Sequence, residues 1–144
     1  MKILSKVASA MILSTGLLMA SSYSVDNAHS NVGFTVQHMM VTNVHGKFTS
    51  YDAKVEFDDA TKTFKKLVAN IDTNSIDTGI EKRDNHLRSD DFFAVEKFPK
   101  MTFEMTSYKA DGDDGKMTGN LTIRGITKPV VLEVEDIAIL GDKV

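Results

Sequence analysis

Two stretches of alternating apolar and polar residues decide the fold: MTFEMT at residues 101–106 and MTGNLTI at residues 117–123. Apolar residues, with one glycine, occupy every second position in both stretches, which is the pattern of a β-strand that buries one face. Between them lies DGDDG at residues 111–115, a segment rich in the residues that form tight turns. The sequence therefore predicts an antiparallel hairpin over residues 101–123.

The same alternation continues on both sides of this hairpin. It recurs over residues 31–38, 53–58 and 67–72, and it returns over residues 130–135 after a short turn. The phase changes near residues 50–52, which predicts a bulge or bend of the kind found in strongly curved sheets. We therefore predict an all-β domain built on a curved antiparallel sheet of about six strands.

Residues 75–99 interrupt the β pattern. Ile80, Arg83, Asp84 and Leu87 are spaced three to four apart, which predicts one or two helical turns inside a long connection. Connections of this length in compact domains are usually lids or binding loops. The lid candidates are the apolar residues Ile76, Ile80, Leu87, Phe92 and Phe93.

The N-terminus has the pattern of a secretory signal peptide. Lys2 and Lys6 precede an uncharged, mostly apolar run that ends at Ala20, and small residues allow cleavage after Ser22. The run is short for a membrane span, which needs about 20 residues. We predict a signal peptide at residues 1–22, an exported domain at residues 23–144, location in the periplasm and no stable membrane span after cleavage.

Composition and spacing exclude several classes of function. The 17 basic and 20 acidic residues give a net charge of -3, which makes nucleic acid a poor partner. The chain has no cysteine, so it can form no disulfide, thiolate metal site or thiol nucleophile. The four histidines lack metal-ligand spacing, and Asp26, His29 and Ser30 are best explained as local caps and turns. We predict no catalytic residue, no metal and no cofactor.

The apolar face of the predicted sheet is the remaining candidate for function. A curved antiparallel sheet of about eight strands can close around one ligand, but the same residues can equally fill a solid core. Strand phase selects these candidates for the lining of a cavity: Val32, Phe34, Val36, Phe57, Leu67, Ala69, Ile71, Met101, Phe103, Met105, Leu121 and Ile123.

Seven motifs, in one order, are spread from residue 23 to residue 130: YSVDNAHS (23–30), VGFTVQH (32–38), VTNVHGKF (41–48), SIDTG (75–79), EKRDNHLRSDDFF (81–93), FP (98–99) and TGNLTIRGITKPV (118–130). Together they resemble the YceI-like family of bacterial periplasmic polyisoprenoid-binding proteins. The resemblance implies a lipocalin-like antiparallel β-barrel that holds a long isoprenoid, such as a polyprenyl chain or a quinone tail. It also implies a homodimer, a link to stress conditions and no agreed enzymatic activity.

We therefore expect a non-catalytic periplasmic protein that carries or sequesters an isoprenoid-type lipid under a lid of loop and short helix. One alternative is an enzyme acting on a lipid or quinone, with His38 or an Asp as the acid-base group. A second is an interaction module with a solid core.

The chain departs from the family pattern in two places. His45 stands where the family commonly has Arg, so a cationic contact there is not carried over. The family usually continues for several tens of residues beyond the strand that matches Val130–Glu135. We therefore expect an open, incomplete barrel, truncated at its C-terminal side, that is poorly stable or associated and binds lipid weakly when expressed alone.

Overall fold

The computed structural model describes residues 20–139. Most of the predicted signal peptide lies outside the described residues. The predicted cleavage point after Ser22 falls within the first strand, Ser21–Ser24, so cleavage would leave Tyr23 and Ser24 of that strand.

Nine strands and one α-helix make up the described part of the chain: β1 (Ser21–Ser24), β2 (Val32–His38), β3 (Thr42–Phe48), β4 (Tyr51–Asp58), β5 (Thr63–Asp72), β6 (Ile76–Asp77), α1 (Glu81–Arg88), β7 (Lys100–Asp111), β8 (Asp114–Ile123) and β9 (Ile126–Val134). A single turn of 3-10 helix, Thr73–Ser75, joins β5 to β6. The prediction of about six strands is therefore wrong in number. The extra strands are β1, β3 and β6, which are too short or too rich in polar residues and glycine to show clear alternation.

Two antiparallel sheets contain these strands. The large sheet has the order β1-β4-β5-β7-β8-β9, and the small sheet has the order β2-β3-β6. Within residues 20–139 the two sheets do not join edge to edge, so the barrel is open. The prediction of an antiparallel, incomplete barrel is confirmed.

Two tight hairpins form the end of the large sheet. Gly112 and Asp113 connect β7 to β8, and Gly112 has a φ of +61°. Arg124 and Gly125 connect β8 to β9 with φ values of +50° and +72°, as a two-residue type I′ turn requires. Both hairpins lie where the strand and turn pattern of the sequence predicts them, so this prediction is confirmed.

The chain passes from one sheet to the other at Thr49 and Ser50. The Thr49 amide donates to the Ser75 carbonyl oxygen at 3.2 Å, and the Asp72 amide donates to the Ser50 carbonyl oxygen at 2.9 Å. This crossing confirms the predicted bend near residues 50–52. Bulges in the large sheet lie elsewhere, between Glu56 and Phe57 and between Met105 and Ser107.

The main core lies between the small sheet and one end of the large sheet. Its buried members are Phe48, Ile71, Ile76 and Met101, which come from β3, β5, β6 and β7. The Phe93 ring, from the segment after α1, meets Phe48 edge to face at 5.8 Å. The core therefore ties both sheets and the predicted lid together.

Hydrogen bonds hold α1 against β6. The buried Asp84 carboxylate accepts bonds from the Thr78 amide at 2.9 Å and the Thr78 hydroxyl at 2.5 Å. The Arg83 guanidinium donates to the Thr78 hydroxyl and carbonyl oxygens, and Arg88 donates to the carbonyl oxygen of Ile76 at 2.9 Å. The predicted helical turns are confirmed as α1. The hydrogen bonds described above anchor this helix to the rest of the fold.

Candidate functional site

An apolar groove lies between the segment that follows α1 and the last two strands of the large sheet. It has a volume of about 560 Å³ and is open to solvent on one side. Its lining residues are Asp91, Phe92, Phe93, Leu121, Ile123, Arg124, Ile126, Lys128 and Val130. This volume is in the range of about 300–1,000 Å³ that is typical of small-molecule sites.

Strand register explains the sheet side of the groove. Leu121 of β8 lies opposite Lys128 of β9, and Ile123 lies opposite Ile126. Residues two apart on a strand share a face, so Ile126, Lys128 and Val130 point the same way. The period-two pattern of each strand therefore places these side chains on the same side of the groove.

Gly119 leaves room for the ring of Phe103 to pack on the same face of the sheet, beside the groove. It lies opposite Val130 in the register, and a Cβ atom added to it would overlap Cζ of the buried Phe103. Phe103 in turn lies opposite Leu121. Only glycine at position 119 permits this packing.

Phe92 and Phe93 form the opposite wall and have different environments. Phe93 packs against the core, whereas 47% of Phe92 is exposed. The Arg124 guanidinium donates to the Phe92 carbonyl oxygen at 2.8 Å, which fixes this segment against the β8–β9 turn. The His86 ring lies 5.0 Å from the Phe92 ring, edge to face. These contacts hold the segment with Phe92 and Phe93 in place beside the groove.

Three charged residues are part of the groove lining. Arg124 and Lys128 carry positive charge, and Asp91 carries negative charge and accepts a hydrogen bond from His86 over 3.0 Å when that nitrogen is protonated. Apolar side chains make up the rest of the lining. The groove can therefore hold an apolar chain while a polar end faces these charges.

A second, smaller groove lies near the β1 edge of the large sheet. It has a volume of about 280 Å³ and is lined by Tyr23, Val55, Phe57, Phe64, Ile137, Ala138 and Ile139. The Ile137 amide donates to the Asp113 carbonyl oxygen at 2.8 Å, which places the segment after β9 next to the β7–β8 turn.

A row of aromatic rings runs from this groove into the sheet. The Phe57 and Phe64 rings are 4.8 Å apart, and the Phe64 and Tyr108 rings are 5.1 Å apart. Burial, and then the nearby Asp114 carboxylate, raises the pKa of the Tyr108 hydroxyl. Tyr108 lies opposite Met117, and Met117 lies opposite Leu132. One face of the sheet thus continues from the second groove toward Val130 of the first.

The residues predicted to line a cavity or to form the lid fall into several environments. Four predicted residues line the first groove (Leu121, Ile123, Phe92 and Phe93), and Phe57 lines the second. The core contains or contacts Val32, Phe34, Ile71, Ile76, Met101 and Leu87. Phe103 is buried, and Leu67, Ala69 and Met105 are half-buried on the inner face of the sheet. Val36 and Ile80 are each 53% exposed.

Several groove residues were not among those predicted: Asp91, Arg124, Ile126, Lys128 and Val130 in the first groove, and Tyr23, Val55, Phe64 and residues 137–139 in the second. A signal for part of this set was present in the sequence. Ile126, Lys128 and Val130 share one strand phase, but the charged Lys128 breaks the apolar pattern.

The polar residues near the start of the domain form a local turn. The His29 Nδ1 atom lies 2.7 Å from the Asp26 carboxylate, and this hydrogen bond is the main reason that the pKa of Asp26 is lowered. The Ser30 hydroxyl donates to the Asp26 carbonyl oxygen at 2.6 Å and lies 2.8 Å from the Tyr51 hydroxyl. His29 and Ser30 therefore bond to different atoms of Asp26, the carboxylate and the backbone carbonyl, as expected for caps and turns.

Neither His38 nor a metal cluster forms part of either groove. His38 lies exposed at the end of β2. Across residues 20–139, no group of three or more His, Asp or Glu side chains is placed to hold a metal ion. In the same range no helix has both the length and the apolar character needed to cross a membrane.

Comparisons with known proteins place the chain among its relatives. A family model described as the YceI-like domain matches residues 23–140. Protein YceI of Salmonella newport (strain SL254) is 41% identical over 127 residues, and the match covers 87% of this chain and 66% of that protein. The chain thus spans just under two thirds of the length of that relative.

Solved structures show the same similarity. The Campylobacter jejuni YCEI protein is 48% identical with a TM-score of 0.64, and the match covers 77% of this chain and 66% of that chain. Burkholderia cenocepacia BcnA is 30% identical with a TM-score of 0.73, and the match covers 81% of this chain and 73% of that chain. The predicted resemblance is confirmed, and the chain belongs to the YceI-like family.

Proposed function

We propose that this chain is a non-catalytic periplasmic protein that carries or sequesters an isoprenoid-type lipid on the inner face of its large sheet. The apolar groove beneath Phe92 is the observation that carries this proposal. Its lining is apolar except for Asp91, Arg124 and Lys128, whose charges suit a polar head group. Membership of the YceI-like family and the signal-peptide pattern of residues 1–22 support the ligand class and the location.

The shape of the apolar surface favours a long ligand. Along β9, Val130 and Leu132 share one face, and this face leads through Met117 and Tyr108 to the second groove. Leu132 is 44% exposed, so a bound chain could cover it. Each CH2 group that a ligand buries contributes about 0.8 kcal/mol. Affinity can therefore come from shape and burial alone, without a reactive group.

Two neighbouring valines provide a matched test. Val130 faces the groove and is half-buried, whereas Val131 is on the opposite face of β9 and is 60% exposed. Val130→Asp places a carboxylate against an apolar chain and should abolish binding, since desolvating that charge is costly. Val131→Asp changes the same residue type on the solvent side and should bind normally.

The measurement is lipid content after purification, by mass spectrometry of organic extracts, together with titration of each variant with geranylgeraniol. We expect a co-purifying lipid with an isoprenoid tail in the wild type and in Val131→Asp. Absence of lipid from the wild type together with no binding of geranylgeraniol would refute the proposal. Equal binding by a folded Val130→Asp variant would refute the assigned face. The homodimer and the link to stress conditions stay predictions from the resemblance.

A further inference from the structure

The hairpin formed by β2 and β3 ends in two adjacent exposed methionines. Met39 and Met40 are 79% and 88% exposed, among the three highest values for the large apolar side chains of residues 20–139. The core lies at the other end of the hairpin, where Phe48 pairs with Val32. Both thioether side chains are therefore open to small molecules in solution, and they contribute little to the packing of the domain.

The other methionines of residues 20–139 are shielded by the fold. Met117 is 2% exposed, Met101 is 8% exposed, and Met105 is half-buried on the inner face of the large sheet. Oxidation of methionine is faster at exposed sites, because a buried sulfur atom meets an oxidant only when the fold opens. The structure thus separates two accessible thioethers at the hairpin tip from three shielded ones in the sheet.

No thiol competes with these thioethers for an oxidant. The chain has no cysteine, so methionine supplies all of its sulfur. Peroxides oxidise cysteine and methionine side chains by two electrons at the sulfur atom. In the folded chain this reaction should therefore fall first on Met39 and Met40.

The backbone of the tip gives no structural reason for methionine at these positions. Met39 and Met40 have φ values of +51° and +60°, in the left-handed region that favours glycine or asparagine. Glycine or asparagine would fit this turn with less strain and would expose less apolar surface. The stability of the fold therefore does not explain why methionine occupies both positions.

The bonds that hold the turn do not involve sulfur. The Val41 amide donates to the His38 carbonyl oxygen at 3.3 Å, and the Gln37 side-chain amide donates to the Met40 carbonyl oxygen at 3.3 Å. Oxidation makes the methionine side chain polar, and at an exposed site water solvates the new oxygen. At Met101 the same change would bury an unpaired polar group in the core. The tip can therefore be oxidised while the domain stays folded.

We propose that Met39 and Met40 form a site of reversible oxidation by hydroperoxides, at which the folded chain takes up two oxidising equivalents. At each residue a sulfur lone pair attacks one oxygen of the peroxide, a sulfur–oxygen bond forms and the oxygen–oxygen bond breaks. Sulfur is oxidised by two electrons to the sulfoxide. With hydrogen peroxide, the departing hydroxide takes the proton of the transferred oxygen and leaves as water.

The reverse reaction needs a thiol-dependent sulfoxide reductase. Two thiols are oxidised to a disulfide, the thioether is restored and the oxygen leaves as water. Because the two methionines are exposed on a projecting hairpin, such an enzyme can reach them without unfolding the domain. This inference does not depend on which ligand the groove holds.

The test is oxidation of the full chain with hydrogen peroxide, followed by tryptic digestion and tandem mass spectrometry to measure each methionine separately. In the folded protein, Met39 and Met40 should each gain one oxygen about tenfold faster or more than Met101 and Met117. In urea, which unfolds the chain, the four rates should become similar. Methionine sulfoxide reductases for both epimers, with dithiothreitol, should remove the added oxygens from the folded protein.

Leucine variants test the number of equivalents. The double variant Met39→Leu with Met40→Leu keeps apolar side chains of similar size but lacks both sulfur atoms. It should consume two fewer equivalents of peroxide per folded chain than the wild type. The matched control is Met101→Leu, a volume-conserving change in the core, which should consume as much as the wild type. Oxidation of the tip should leave the Tm of the wild type unchanged.

Two outcomes would overturn the inference. The first is that Met39 and Met40 in the folded protein are oxidised no faster than Met101 and Met117, because the tip would then be covered. The second is a Tm that falls when only the tip is oxidised, because its thioethers would then stabilise the fold. Neither measurement uses an isoprenoid, so a failure of groove binding would leave both results intact.

Discussion

Phe92 and Phe93 are adjacent, yet replacing each with alanine should affect different properties: Phe92→Ala should weaken binding, and Phe93→Ala should mainly lower stability. Full burial of a Phe side chain contributes about 1.5–3 kcal/mol. Since 47% of Phe92 is exposed, a ligand that covers this part gains about 0.7–1.4 kcal/mol from it. Phe92→Ala should therefore raise the Kd for a prenyl ligand by about three- to tenfold. The remaining contacts of Phe92 account for a loss of only about 1 kcal/mol in the free energy of unfolding.

Phe93 contributes mainly to stability. Its ring packs edge to face on Phe48 and is in contact with the core cluster. Removing it should lower the free energy of unfolding by about 2–3 kcal/mol, somewhat less than for a fully buried Phe. The corresponding fall in Tm is about 10 °C.

The two variants can be separated by denaturation in urea and by calorimetric titration with geranylgeraniol. We expect Phe92→Ala to raise the Kd about three- to tenfold with a loss of only about 1 kcal/mol in stability, and Phe93→Ala to lower the stability more than it changes the Kd of the folded fraction. Unchanged affinity in a folded Phe92→Ala variant would show that the ligand does not lie beneath this ring. The groove would then be assigned to the wrong face of the segment after α1.

Three further predictions follow from single contacts. Gly46→Ala should destabilise the fold by about 1–3 kcal/mol in thermal denaturation, because its Cβ atom would overlap the Phe34 ring; wild-type stability would contradict this packing. When absorbance is followed at alkaline pH, Tyr108 should ionise above pH 10.0, since burial raises its pKa, and Tyr108→Phe should remove that phase. The neutral hydroxyl of Tyr108 therefore stabilises the fold below pH 10.0, and this stabilisation is lost as the pH rises through the raised pKa. Asp58 accepts hydrogen bonds from the Thr61 and Ala60 amides, which lower its pKa below 3.8. Its contribution to stability is therefore present above pH 3.8 and is lost in more acidic solution. Asp58→Ala should make the free energy of unfolding depend less on pH in this acidic range.

The sequence predicts the sheet well because local chemistry determines it. Gly112 and Gly125 supply the positive φ values of two tight turns, and period-two alternation sets the inner face between them. Strand β3 was missed because Gly46 and polar residues obscure its alternation, although its last residue, Phe48, is among the most buried in the domain. Its burial depends on the Phe34 and Phe93 rings, which are distant in sequence.

The site is less predictable than the sheet. The charged stretch at residues 81–84 gives no sign that Asp84 is buried, because its partner, Thr78, is brought to it only by the turn before α1. Lys128 lines the groove because it pairs with Leu121 across β8 and β9. Its charge, considered alone, would predict a side chain that faces solvent. Pairing across strands, which a single sequence does not display, decides both positions.

Leu121 packs against the core cluster and also lines the groove, so ligand and fold share one apolar surface. A molecule bound there becomes part of the hydrophobic interior, and its loss leaves Leu121 facing water. At a free ligand concentration of 100 times the Kd, binding would add about 2.7 kcal/mol to the free energy of unfolding. The melting temperature of this protein should therefore depend on its purification history, and detergent or solvent washing should lower it even though the chain is unchanged.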